Sequence, residues 1–244
     1  MSETHFYLTL PSNASLDVFP DNKTGSYLVK LPHPIDLNGN WEVGLYSISY
    51  PNTWYTLRAE DNHIYCSTDG HIFSPVMVDC GYYETVQDLI AAVNRTLEKK
   101  TGNRGIALAF DPRTTKMKVT ISQRGYMLGL ATKMSAMLGF GGIDMKIKKT
   151  TTSPYVADLL DITTVYIYCD IVRPQIVGDV SVHMLRTIHD IVAKTFNNIQ
   201  YVPVQTKSFE DIQILLRDGT GAPVPFERGT VIATLYFRKQ SYFA

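Results

Sequence analysis

Residues 164–172, Thr-Val-Tyr-Ile-Tyr-Cys-Asp-Ile-Val, alternate without a break. Val165, Ile167, Cys169 and Ile171 fall on one face of an extended chain, and Tyr166, Tyr168 and Asp170 fall on the other. An aliphatic face of this kind has to be buried. A tyrosine face suits a surface that is half wet or covered by a neighbour, because a phenol joins apolar area to a hydrogen-bonding tip. The stretch is therefore expected to be a central β-strand around which the rest of the chain is laid.

Most of the remaining chain carries short runs of the same period, each closed by a residue that ends strands. Residues 6–10 stop at Pro11 and residues 16–19 at Pro20; both are expected to be edge strands or β-arms, since proline cannot donate to a ladder. Tyr27, Val29 and Leu31 share a face before Pro32 and Pro34 close the run. In residues 41–50, Val43 and Leu45 face one way while Tyr46, Ile48 and Tyr50 face the other, so both faces are covered or a bulge near Gly44 re-aims the strand. After Pro51, Trp54, Tyr55 and Leu57 continue an extended segment, and residues 63–67 and 72–78 flank Thr68-Asp69-Gly70 as a hairpin. Beyond the central strand, residues 180–188, 200–204, 209–216 and 230–238 follow, with Asp218-Gly219-Thr220-Gly221 among the turns. About nine or ten short strands with long, Pro-rich connections call for a two-sheet antiparallel sandwich.

At Tyr82 the period changes. Thr85 and Asp88 have the spacing of a capping box, and Val86, Leu89, Ile90, Val93 and Leu97 form one stripe of an amphipathic helix that Gly102 ends. Residues 106–110 and 117–121 make a hairpin around 111–116, and residues 131–138 read as a second short helix stopped by Gly139. Residues 82–142 are thus expected to be a small α+β helix-hairpin-helix unit inserted into an all-β body formed by 1–81 and 143–244.

The chemistry expected of an enzyme is missing. The histidines show no His-x-His or His-Glu-x-x-His spacing for a metal, Gly-x-Ser-x-Gly is absent, and Gly139-Phe140-Gly141-Gly142 lacks the Lys-Ser/Thr of a phosphate loop. No cofactor is expected. The 23 basic and 23 acidic side chains cancel, so no global field draws in nucleic acid, and direct nucleic-acid contact is not expected. Lys146, Lys148 and Lys149, with Lys133 upstream, alternate against Met145 and Ile147 as a solvated strand edge would; a patch facing nucleic acid or an acidic partner is the other possibility. The opening residues lack a basic and then apolar leader, and no apolar run of about 18 residues occurs, so neither a signal peptide nor membrane insertion is expected. Cys66, Cys80 and Cys169 share no metal spacing and are odd in number, as reduced and mostly buried thiols would be.

Aromatic residues exceed what one small core must bury, with core packing accounting for about half of those that follow. Tyr46, Tyr50, Trp54, Tyr55, Tyr82, Tyr83, Tyr166 and Tyr168 are of the types enriched where proteins meet, which points to an assembly in which one sandwich covers the next. The candidate interface comprises Tyr46, Tyr50, Trp54, Tyr55, Tyr166 and Tyr168, with Tyr242 and Phe243 as a terminal anchor.

The order of segments resembles a known family. Residues 16–22, Leu-Asp-Val-Phe-Pro-Asp-Asn, lead to Tyr27-Leu28-Val29-Lys30-Leu31 and then to Trp41-Glu42-Val43-Gly44-Leu45. This is similar to the opening of the minor capsid (penton) proteins of Polinton, or Maverick, elements and their adintovirus relatives. Leu138-Gly139-Phe140, residues 165–171, Val177-Gly178-Asp179 and Leu185-Arg186 resemble the downstream signature of the same family. The resemblance implies a jelly-roll subunit that forms homopentamers at the fivefold vertices of an icosahedral capsid and contacts a double-jelly-roll major capsid protein. It also implies a virion protein made in the cytosol of a eukaryotic host cell. Two rivals remain open at this stage: a carbohydrate- or protein-binding β-sandwich attachment module, and a hydrolase or metal enzyme without a recognisable motif.

Overall fold

The computed structural model describes residues 4–102, 105–159, 162–189 and 194–240. Three strands open the chain: β1 (His5–Pro11), β2 (Ser26–Asp36) and β3 (Trp41–Ser49). In β1 the period-two pattern sends Leu10, Phe6 and Leu8 to the core and leaves His5, Tyr7 and Thr9 exposed. The arm expected at residues 16–19 is instead a turn. Ser15 sits at φ 57°, and its carbonyl accepts from the N–H groups of Val18 (3.1 Å) and Phe19 (2.8 Å). One helical turn satisfies this backbone locally, so the segment needs no ladder partner, and Leu16 and Val18 stay exposed.

The chain then builds a second compact unit, Tyr55–Asp161, before returning to the first, which comprises Met1–Trp54 and Ile162–Ala244. The second unit contains β4 (His63–Ser67), β5 (Ser74–Met77), α1 (Val86–Thr101), β6 (Ile106–Asp111), β7 (Lys116–Ile121), β8 (Met127–Leu130), α2 (Thr132–Met137), β9 (Met145–Ile147) and β10 (Thr151–Thr152). α1 starts where the capping box places it. Thr85 Oγ1 accepts from the Asp88 N–H while Asp88 Oδ2 accepts from the Thr85 N–H, and Gly102 at φ 68° closes the last turn onto Glu98 O. Leu89, Ile90, Val93 and Leu97 are buried, as the helical stripe requires.

The boundaries expected at 82 and 142 fall inside this unit. The reason is strand pairing: β4 lies between β5 and β8 in the sheet β5-β4-β8-β9. Ile64, Cys66, Val76 and Val78 therefore share one core with Leu89, Val93 and Leu97. The lysine run does form an edge. Among the described residues β9 pairs only with β8, and it buries Ile147 and exposes Lys146.

The first unit resumes with β11 (Val165–Cys169), β12 (Gln175–Val177), β13 (Val180–Val182), β14 (Met184–Ile188), β15 (Lys194–Thr195), β16 (Val202–Pro203), β17 (Ser208–Arg217) and β18 (Ile232–Lys239). The single strand expected over 180–188 is broken: β12 and β13 form a hairpin of their own, and β14 follows. All the pairings are antiparallel. One sheet runs β1-β18-β3-β15, with β16 also on β3, and the other runs β14-β11-β17-β2. β11 is central in the second, with Val165, Ile167, Cys169 and Ile171 buried, as its alternation demands.

β2 carries Pro32 and Pro34 instead of stopping before them. Its partner register jumps from Lys30 opposite Asp211 to Ile35 opposite Phe209, so both prolines sit in an irregularity on an edge strand, where no donor is needed. β3 bulges at Tyr46, since Ser47 opposes Thr234 and Leu45 opposes Leu235. Gly44, two residues earlier, lets residues 199 and 200 cross close by: a Cβ there would overlap Ile199 and stand 2.6 Å from Gln200 O.

Both sheets feed one core, in which Phe237 stacks on Phe6 (4.6 Å between ring centres) and lies 5.9 Å from Phe209. Tyr27, on β2, is fully buried and donates its hydroxyl to Leu10 O on β1 at 3.0 Å, which ties one sheet to the other. Burial raises the Tyr27 pKa far above the ordinary phenol value, so the hydroxyl stays a donor. Replacing Tyr27 by Phe should destabilise the first unit by about 1 to 2 kcal/mol, read as a lower denaturant midpoint without a change in slope.

In the second unit, Asp69 Oδ1 accepts from the N–H groups of His71 and Ile72 and from the Ser67 hydroxyl, and these bonds, His71 first, lower its pKa to about 2. A carboxylate with a depressed folded-state pKa stabilises fully above about pH 4, its unfolded value, and loses that effect as pH falls through about 2. Amide exchange at His71 and Ile72 should therefore accelerate, relative to intrinsic rates, below pH 4. An Asp69→Asn chain should lack that step.

Candidate functional site

The outer face of the sheet β1-β18-β3 carries a continuous aromatic patch. Register puts Tyr7 opposite Tyr236, Thr9 opposite Thr234 and His5 opposite Arg238, all on the side away from the core. The β3 bulge turns Tyr46 onto the same face, where its ring meets Tyr7 edge-on at 5.1 Å. Tyr7 and Tyr236 lie 4.6 Å apart, and Tyr236 and Tyr201 lie 6.2 Å apart. The Arg238 guanidinium caps the row, 3.5 Å above the Tyr201 ring, and pairs through Nε with Glu42 Oε1.

Tyr7 is 51% exposed, yet partial desolvation and then the neighbouring phenols Tyr236, Tyr46 and Tyr201 raise its pKa. Tyr201 is raised by desolvation as well, against the opposing pull of Arg238. Four phenols and a stacked arginine give a surface that is apolar in area and still wettable at its tips.

The opposite outer face, on β14-β11-β17-β2, carries Tyr166 and Tyr168, both half-buried. Tyr168 lines an open depression of about 430 Å³ with Leu215, Arg217 and His183. The two outer faces of the first unit thus both present tyrosine. They differ in partners: a phenol ladder on one, an aliphatic and cationic depression on the other.

With this geometry in view, likeness to known proteins is informative. No protein-family model matches the chain, and no curated protein sequence matches it. Among solved structures, it superposes on the crystal structure of selenomethionine-labelled mavirus penton protein with a TM-score of 0.56 and 12% identity, over 98% of this chain and 100% of that one. The fold is penton-like. At this identity the shared feature is the mainly β, antiparallel architecture, and the penton-like fold extends over both units of the chain.

Within the penton-like fold, the aromatic residues singled out from sequence separate into distinct groups. Tyr46, Tyr166 and Tyr168 lie on outer sheet faces. Tyr50 and Trp54 do not: each is only 6% exposed, and both pack edge-on against Phe226, at 6.1 and 5.7 Å. They are core residues of the first unit, because Phe226 packs over both rings. Tyr55 is exposed and belongs to the second unit. Tyr242 and Phe243 lie outside the described residues.

Tyr7, Tyr201 and Tyr236 were not singled out. For Tyr7 and Tyr236 the signal was present in the alternations His5-Tyr7-Thr9 and Thr234-Tyr236-Arg238, but only the pairing of strands more than two hundred residues apart makes them one surface. Among the described residues, no group of three or more His, Cys, Asp or Glu side chains could hold a metal ion, and no helix is long and apolar enough to cross a membrane. All three cysteines are free thiols; Cys66 and Cys169 are buried and Cys80 is exposed.

The phenol ladder can be tested directly. Substituting Tyr236 by Phe removes a like-charged neighbour, so Tyr7 should ionise at a lower pH than in the parent chain, a change that a tyrosine-resolved NMR titration would detect.

Proposed function

We propose that this chain is a structural virion protein, the minor capsid (penton) subunit of an icosahedral capsid, with five copies closing a ring at each fivefold vertex. The observation that carries this is the strand order. With β15 and β16 taken as one interrupted strand, the order β1-β18-β3-β15 against β14-β11-β17-β2 supports the wrapping of a single jelly roll, since the chain changes sheets at every step except β11 to β14. The likeness to a penton protein along the whole chain supports the same reading.

Residues 55–161 are then an inserted α+β unit between the third and fourth strands of that roll. The family is that of Polinton, or Maverick, elements and adintoviruses, the major partner is a double-jelly-roll capsid protein, and the product accumulates in virions after synthesis in the cytosol of a eukaryotic host cell.

A closed ring requires heterologous contacts, in which each subunit offers two different surfaces. The ladder of Tyr7, Tyr46, Tyr201 and Tyr236 and the opposite face with Tyr166 and Tyr168 are two such surfaces on one sandwich. Tyrosine on both suits an interface of the usual size, roughly 800 Å² per partner.

Sedimentation velocity and native mass spectrometry of the purified chain should return a pentamer, alone or on addition of the major capsid protein. Tyr7→Asp with Tyr236→Asp, and separately Tyr166→Asp, should each weaken association by about tenfold or more while leaving the circular dichroism of the subunit unchanged. A chain that remains monomeric at high concentration with the major capsid protein present would overturn the proposal.

A further inference from the structure

The outer face of the sheet β5-β4-β8-β9, in the second unit, carries a cleft. Cross-strand register aligns Tyr65, Gly129 and Lys146 in one row. Gly129 has no side chain, and the Tyr65 Cβ and the Phe73 ring close over it: a Cβ there would stand 2.9 Å from the one and 3.5 Å from the other. Beside Gly129 lies a cleft of about 520 Å³ whose lining joins an aromatic wall, Tyr65 and Phe73, to Leu130 and Met145, with the exposed Asp144 and Lys146 at its rim. The wall is held in place. His63 packs edge-on against Tyr65 at 5.5 Å, and the Asp69 carboxylate locks the loop that delivers Phe73 through its bonds to Ser67, His71 and Ile72.

The polar atoms at the rim restrict what can enter. Asp144 Oδ1 is held by the Thr132 hydroxyl at 2.9 Å, which leaves Oδ2 as an acceptor without a hydrogen-bond partner among the described residues. The Lys146 ammonium lies 5.1 Å from the centre of the Phe73 ring and has no carboxylate partner among the described residues. The Tyr65 hydroxyl is likewise without a hydrogen-bond partner among them. A purely apolar occupant would strip water from a carboxylate and an ammonium without replacing it. An occupant with a single charge loses to one of the two what it gains from the other.

A ring that carries hydroxyls around its edge, each able to donate and accept, and that presents an apolar C–H face to an aromatic wall meets all of these conditions.

We infer that this cleft is a binding site for an uncharged hexopyranose, a terminal or side-chain sugar of a glycan, with Asp144 accepting from sugar hydroxyls, Lys146 and Tyr65 donating to or bridging them, and Phe73 and Tyr65 covering the ring face. The site lies wholly within Tyr55–Asp161 and does not depend on how copies of the first unit associate.

The test uses the full chain, first on a printed array of neutral glycans and then by saturation-transfer NMR and calorimetry with methyl pyranosides of glucose, galactose and mannose and their N-acetylhexosamine counterparts. Binding in the micromolar to millimolar range is expected for at least one pyranoside. Asp144→Ala and Lys146→Ala should each weaken it by about tenfold or more, since each removes a charge-assisted hydrogen bond, while Lys148→Ala, outside the cleft, should leave it within about twofold. Tyr65→Phe, which keeps the ring and loses only the hydroxyl, should weaken binding less than Asp144→Ala. Two results would overturn the inference: no pyranoside bound at millimolar concentration by a chain whose circular dichroism is native, or a bound sugar whose affinity is indifferent to Asp144→Ala and Lys146→Ala.

Discussion

Strand β18 holds the first unit together. It lies between β1 and β3, so the last described strand of the chain is hydrogen-bonded on one side to the first and on the other to the third. Its inward residues Ala233, Leu235 and Phe237 are fully buried, and Phe237 meets rings from both sheets, Phe6 on β1 and Phe209 on β17. Without β18, β1 has no ladder partner among the described strands, and the Tyr27 hydroxyl loses the strand that it crosses to reach. Contacts of such sequence separation form late and slowly, because the intervening chain must be ordered first. The same physics explains why a whole compact unit can stand between β3 and β11: the entropy of closing a loop grows only with the logarithm of its length, so a long excursion costs little more than a short one provided that it folds on its own core.

Features that depend on neighbours in sequence were legible beforehand. The capping box at Thr85 and Asp88, the buried stripe of α1, its stop at Gly102, the β6–β7 hairpin and the alternation of β11 all rest on interactions within a few residues, and the chain forms them as expected. The bulge in β3 belongs to the same class, since two apolar faces on one strand demand either cover or a shift in register, and the shift falls at Tyr46. Features that depend on distant partners were not legible. Residues 63–77 look the same in sequence whether they pair with the strands of the first unit or with β8, and only the pairing assigns them to the second unit. Leu16 and Val18 alternate like a strand, but no edge receives them, and a turn at Ser15 takes their place.

The candidate surface was half legible for the same reason. Tyr46, Tyr166 and Tyr168 were found because alternation within one strand puts them opposite a buried aliphatic set. Tyr50 and Trp54 have the same composition signal and the opposite fate: Phe226, far along the chain, folds against both rings and takes them into the core. Aromatic excess therefore marks candidates for a covered surface, while the choice of which rings remain outside is made by long-range packing. Tyr7 and Tyr236 make the converse point. Each is one aromatic in a polar row, and they become a patch only when β1 and β18 align in register.

The residue type of that patch suits a surface that is stable in water and would also bury well against a partner. A row of phenylalanines across β1, β18 and β3 would bury well in an assembly but would leave the free subunit with a contiguous apolar patch, prone to disordered association. Tyrosine supplies nearly the same area with two side-chain torsions to fix, so little entropy is lost on binding, and its hydroxyl stays hydrated until a partner replaces the water. Arg238 strengthens the effect, because its guanidinium is already stacked on Tyr201 and already paired with Glu42 in the isolated subunit, so its geometry is paid for before any partner arrives. A preorganised cation at one end of a phenol ladder also gives the face a direction. A partner that offers an acceptor opposite Arg238 and apolar area opposite Tyr7 fits in one orientation only, and a single orientation is what heterologous contacts must have if they are to close into a ring instead of growing into a fibre.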